Sequence, residues 1–108
     1  MANIETTTTS GAVSSVFAVN ETPDGVSAFE IHWTAYTSEA ECAAGETVII
    51  VAKDPGNPPV IKATIPEIHY LGYAGTPTIT ASVSGDDVQF AANGLAGKDI
   101  QWAMRIES

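Results

Sequence analysis

The feature that most constrains this chain is a two-residue alternation that runs, with two interruptions, from residue 77 to residue 106. Ile79, Ala81 and Val83 alternate with Thr78, Thr80, Ser82 and Ser84. After Gly85-Asp86-Asp87, Val88, Phe90 and Ala92 alternate with Gln89, Ala91 and Asn93; after a second break at residues 93–98, Ile100, Trp102, Met104 and Ile106 alternate with Gln101, Ala103, Arg105 and Glu107. Side chains of a strand point alternately to its two faces, so each segment presents one apolar face, which a helix with its longer period would not do. Gly-Asp and Asn-Gly at the breaks are turn formers. The pattern predicts three strands in a meander, all with their apolar faces on a common core.

Upstream, residues 26–37 alternate most regularly, with Phe29, Ile31, Trp33 and Ala35 on one face and Glu30, His32, Thr34 and Tyr36 on the other. Val48-Ile49-Ile50-Val51 is continuous instead, as in strands covered on both faces, and predicts a central strand. Residues 60–65 read as a further strand. Pro66 then confines that region to an edge, an end or a bulge, and residues 67–72 either continue the strand or form a short one. Glu39-Ala40-Glu41-Cys42-Ala43-Ala44 is the one helix-favouring run, and it is too short to be a stable helix by propensity, so a single helical turn or a loop is expected. Residues 12–19 give another short strand.

The count is seven to nine short strands, which defines an all-β protein: an antiparallel β-sandwich of jelly-roll-like type. Its core is expected to hold Phe29, Ile31, Trp33, Ile79, Val83, Val88, Phe90, Ile100, Trp102 and Met104. With 108 residues, residues 11–108 form a single sandwich domain. Residues 1–10 carry little apolar surface beyond Ile4; their β-prone threonines would suit an edge strand, but they read rather as an N-terminal arm. In that arm Ile4, Thr6, Thr7, Thr8 and Thr9 are the candidate partner-binding residues, with extended threonines adding a strand to a neighbour's sheet edge. The domain is expected to stay folded without the arm.

Composition narrows the function. Four basic and thirteen acidic residues give a net charge of −9, which excludes a nucleic-acid backbone as partner and disfavours an anionic membrane. No stretch has the length and apolarity of a membrane helix, and no basic segment followed by an apolar run suggests a cleavable signal. Cys42 is the single cysteine, so no intrachain disulfide contributes and stability must come from packing or assembly. Charged residues are 16% of the chain, against about 25% in an average soluble protein. That leaves a surface rich in Thr, Ser and Ala, as expected where copies or a neighbour cover part of it.

Motifs for chemistry are sparse. His32 and His69, with Cys42, Glu30 or Glu67, offer metal-ligand residue types, but none stands at a recognised ligand spacing, so no metal or other cofactor is expected. Cys42 has no motif pairing it with a base, and Asp86-Asp87 is accounted for by turn chemistry. No catalytic residue is assigned and no enzyme activity is expected. Trp33 and Trp102 fall on apolar faces, leaving Tyr36, Tyr70 and Tyr73 as exposed aromatics that could face a ligand, as in carbohydrate-binding sandwiches.

The closing segment, from Thr78-Ile79-Thr80 through Gly85-Asp86-Asp87 to Asn93-Gly94-Leu95-Ala96-Gly97-Lys98-Asp99-Ile100-Gln101-Trp102, resembles the C-terminal β-domains of tailed-bacteriophage structural proteins. Many tail-fibre, tail-spike and head-appendage β-domains close on a strand, a Gly-Asp or Gly-Asn turn, a strand, x-Gly-x-Ala-x-x-x-Ile-x-Trp and a last strand. The resemblance implies a virion structural protein made in the bacterial cytoplasm, either a capsid decoration protein or a head or tail appendage. It would bind the major capsid or tail protein as a homo-oligomer, most often a trimer. The other reading it allows is a carbohydrate- or receptor-binding module of the tail-fibre-tip kind.

Overall fold

Each alternating segment is a strand in the structure, a computed structural model that describes residues 3–108. The strands are β1 (Asn3–Ser10), β2 (Ser14–Glu21), β3 (Gly25–Tyr36), β4 (Cys42–Lys53), β5 (Val60–Leu71), β6 (Thr78–Ser84), β7 (Asp87–Asn93) and β8 (Asp99–Glu107). They form two antiparallel sheets packed as a sandwich, one of five strands in the order β1-β8-β3-β4-β5 and one of three in the order β2-β7-β6. The molecule is elongated, 47 × 22 × 21 Å, because β3, β4 and β5 each run for 12 residues. These three strands are about twice the usual length; β3 matches the long alternation of residues 26–37, whereas β4 runs well beyond the expected residues 47–52.

The chain's two ends define the topology. β1 pairs with β8 from Asn3 with Ile106 to Ser10 with Asp99, and β2 pairs with β7 from Ser14 with Asn93 to Glu21 with Asp87. Between the two ladders Gly11 N donates to Lys98 O and Gly94 N donates to Val13 O, each at 2.9 Å. The two ladders are thus one antiparallel ribbon that folds across the sandwich at residues 11–13 and 94–98, a jelly-roll-like nesting of the two ends. Gly11 makes the bend with a φ of 78°, open to glycine and strained for other residues. At Gly94 a Cβ would sit 2.5 Å from Gly11 O and 2.6 Å from Thr9 Oγ1. The remaining strands are simple hairpins, β3-β4-β5 in the large sheet and β6-β7 in the small one.

The expected meander of the last three strands is therefore corrected. β6 and β7 pair, but β8 crosses to the other sheet and lies between β1 and β3. Alternation reveals which residues face the core and is silent about the side they face it from, since both sheets turn an apolar face inward. Nine of the ten expected core residues are buried; Val83 is 43% exposed, at the end of edge strand β6 beside the β6-β7 turn. The core also takes Phe17, Ile49, Val51, Tyr73 and Ile106. Its centre is aromatic: Trp33 and Trp102 lie 5.5 Å apart and Phe29 meets Phe90 edge-on at 5.3 Å.

One local expectation also changes, and one open alternative is decided. The helix-favouring run forms neither a helical turn nor, beyond residue 41, a loop. Residues 38–41 make a tight turn in which Thr37 N and Ser38 N both donate to Glu41 O, and Cys42 onward is β4. There Gly45 lies so close under Trp33 and the Glu67 carbonyl that a Cβ would meet them at 2.7 and 2.5 Å; tertiary packing overrides weak helix propensity. Pro66 does not end its strand: β5 is an edge, so the missing N–H is tolerated, and the strand continues to Leu71 with two register shifts.

The N-terminal segment is not a free arm. Asn3–Ser10 is laid on β8 as an edge strand of the large sheet, and Met1 and Ala2, the rest of the expected arm, lie outside the described residues. The tie is the indole of Trp102, whose Nε1 donates to Thr9 Oγ1 at 3.0 Å with both side chains buried.

Candidate functional site

The large sheet's five strands present an outer face that no other element covers among the described residues. Inward-facing residues alternate with outward ones along β1, β8, β3 and β4, and cross-strand pairing lines up the outward set in rows. One row is Thr8, Gln101, Tyr36 and Cys42; the next is Thr6, Ala103, Thr34, Ala44 and Tyr70. Then come Ile4, Arg105, His32, Glu46 and Glu67, and after them Glu107, Glu30, Val48 and Ile65. Beyond lie Ala28, Ile50 and Ala63, then Val26, Ala52 and Val60. The face thus grades from a threonine and tyrosine end, across a charged band, to an apolar end.

At the first end the small residues Ala103, Thr34 and Ala44 floor a shallow trough. Tyr36 and Gln101 stand on one side and His32, His69, Arg105 and Ile4 on the other. Tyr36 and Tyr70 are both exposed. Tyr73 corrects the sequence expectation: it is buried, with its hydroxyl 2.9 Å from Thr37 Oγ1, in the bend that follows β5, where Gly72 N donates to Cys42 O. Its isolation between glycines gave no alternation from which to read a face.

The charged band brings histidine, arginine and glutamate side chains close together. His32 Nδ1 is 3.6 Å from Glu46 Oε2, and His32 Nε2 is 3.8 Å from Glu107 Oε2. Arg105 Nε is 3.3 Å from Glu107 Oε1. Glu30, the cross-strand partner of Glu107, completes a group with His32 whose ligand-type atoms lie within 4.8 Å of one another. Of the metal-ligand types considered from sequence, Glu30 and His32 come together; His69 pairs with Glu67 at 3.5 Å instead, and Cys42 is half-buried with its thiol 3.8 Å from Glu39 O. Glu46 and Glu107 were missed, since their proximity depends on strand register rather than on spacing along the chain.

The apolar end carries exposed hydrophobic side chains, with Val26 at 77%, Val60 at 55% and Ile65 at 54%. Val48 and Ile50 beside them are half-buried, their inward neighbours Ile49 and Val51 fully so. The continuous run at residues 48–51 is thus central to the sheet, and covered on its inner face alone within the chain.

The five candidate partner-binding residues separate by face. Ile4, Thr6 and Thr8 are exposed on the outer face. Thr7 turns inward to Ser15 Oγ at 2.7 Å, and Thr9 is buried under Trp102; neither side chain is free for a partner. Compared with known proteins, the chain matches no family model, no curated protein and no solved structure.

Proposed function

We propose that this protein is a non-catalytic structural component of a bacteriophage particle, a capsid decoration protein or a head or tail appendage. On this reading it binds the particle surface as a homo-oligomer, a trimer being the order its family resemblance implies. The observation that carries the reading is the apolar end of the outer face, where Val26, Val60 and Ile65 stand exposed around half-buried Val48 and Ile50. A contiguous apolar surface rimmed by charge is a feature of association surfaces rather than of monomers. The net charge of −9 favours solubility before assembly, and the open edge of β1 offers main-chain groups to a neighbour. The test is purification of DNA-filled particles: the protein should co-purify in a fixed ratio to the major capsid protein. Ile65→Asp with Val26→Asp should abolish both that association and self-association, whereas a monomeric wild type absent from particles would refute the proposal.

The trough supports a second reading, a carbohydrate- or receptor-binding module. Exposed tyrosines beside a shallow, small-residue floor suit stacking on sugar rings. A glycan array hit lost in Tyr36→Ala or Tyr70→Ala, with particle association unaffected, would favour it over the first.

A further inference from the structure

We propose that Glu30, His32 and Glu107 form a binding site for a divalent transition-metal ion of the zinc class. Glu30 and His32 share the outer face of β3, and β8 brings Glu107 into register opposite Glu30. One ligand atom from each lies within 4.8 Å of the other two, and His32 Nε2 is 3.8 Å from Glu107 Oε2. Zinc bound at about 2.0–2.2 Å in tetrahedral geometry holds its donors about 3.4 Å apart. Closing the group on an ion therefore takes small rotamer adjustments in Glu30 and Glu107, both at the surface.

The surroundings support a ligand role for the Nε2 atom. Glu46 Oε2 lies 3.6 Å from His32 Nδ1 on the far side of the ring, which leaves Nε2 as the nitrogen toward Glu107. An outer carboxylate orients a metal-bound histidine in this way. Arg105 engages Glu107 Oε1, so the oxygen facing His32 is Oε2 and Glu107 is set to bind through one oxygen. Glu30, Glu46, Glu67 and Glu107 face this band, where Arg105 is the one permanently charged cation beside His32 and His69, a balance that favours a cation. A nitrogen among the donors selects zinc-class ions over calcium or magnesium, which prefer all-oxygen sets. Three protein ligands leave the fourth position to water.

The experiment is calorimetric titration of untagged protein with Zn²⁺ in a Cys42→Ser background, so that the thiol cannot compete. It is paired with the histidine ring ¹⁵N spectrum. The expected result is one ion per chain, with Nε2 of His32 shifted as a metal-bound nitrogen and His69 unchanged. His32→Ala should remove the site, Glu30→Gln and Glu107→Gln should each weaken it at least tenfold, and Glu46→Gln should weaken it about 10- to 100-fold as an orienting residue. No binding at millimolar Zn²⁺, binding that survives His32→Ala, or a shift at His69 in place of His32 would each overturn the proposal. The ring spectrum is read on the protein with all its ligands intact, so the result does not depend on a variant's folding.

Discussion

Replacing Thr9 with valine tests whether the N-terminal strand is docked in solution as it is in the structure. The substitution keeps the branched shape and exchanges one hydroxyl for a methyl, so it opens no large cavity. What it removes is the acceptor of the Trp102 indole N–H, 3.0 Å away in a contact where Thr9 is 2% and Trp102 1% exposed. A buried donor left without a partner costs about 1–3 kcal/mol. In a domain of this size each kcal/mol lowers the melting temperature by about 4–8 °C. The assay is urea and thermal unfolding followed by tryptophan fluorescence and far-UV circular dichroism. Thr8→Val is the control: Thr8 is exposed on the outer face of the same strand, and its substitution should stay within about 0.5 kcal/mol. A double-mutant cycle with Trp102→Phe should return a coupling of about 0.5–3 kcal/mol. If Thr9→Val were as stable as the wild type and uncoupled from Trp102, β1 would be off the body in solution, and the packing argument for it would fail.

Three other outcomes follow from the same packing. Deletion of residues 2–10 should destabilise the domain by more than Thr9→Val does, measured by urea midpoint, because it exposes the edge of β8 as well as the indole; a trimmed protein as stable as the whole would contradict this. Gly94→Ala should cost about 1–3 kcal/mol, since its Cβ would lie 2.5 Å from Gly11 O, and a neutral result in thermal melts would show that the ribbon bend is lax. Trp102→Ala should remove about 3–5 kcal/mol, much of a small domain's stability; retention of a cooperative melt near the wild-type temperature would refute the placement of Trp102 at the centre of the core.

Much of the fold was legible because alternation is a local signal. Phe29, Ile31 and Trp33, or Ile100, Trp102 and Met104, reveal their buried side within a few residues, and burial follows wherever a sheet turns that side inward. What was not legible is non-local. His32 meets Glu107 only because β8 pairs with β3, and a one-residue slip in that register would have turned Glu107 to the core. Tyr73 is buried in a bend beyond β5 where no alternation runs, and the alanines at residues 43–44 are strand in a β4 paired on both sides, whose Gly45 lies under Trp33.

The position of β8 is the clearest case of a decision made away from the strand itself. Its apolar face would suit either sheet, and a short connection from β7 would ordinarily favour the neighbouring position. Two features decide otherwise. The connection at residues 94–98 is held to the β1-β2 connection through Gly94 N to Val13 O and Gly11 N to Lys98 O, so β8 must leave the small sheet where β1 does. Once across, β8 finds β1 on one side and β3 on the other, and the Trp102 indole finds Thr9. A meander would leave β8 with β7 alone as a neighbour and the indole without that acceptor. Because β1 and β8 cross together, the open edge on that side of the large sheet belongs to β1, and the charged band on the outer face exists only in this topology.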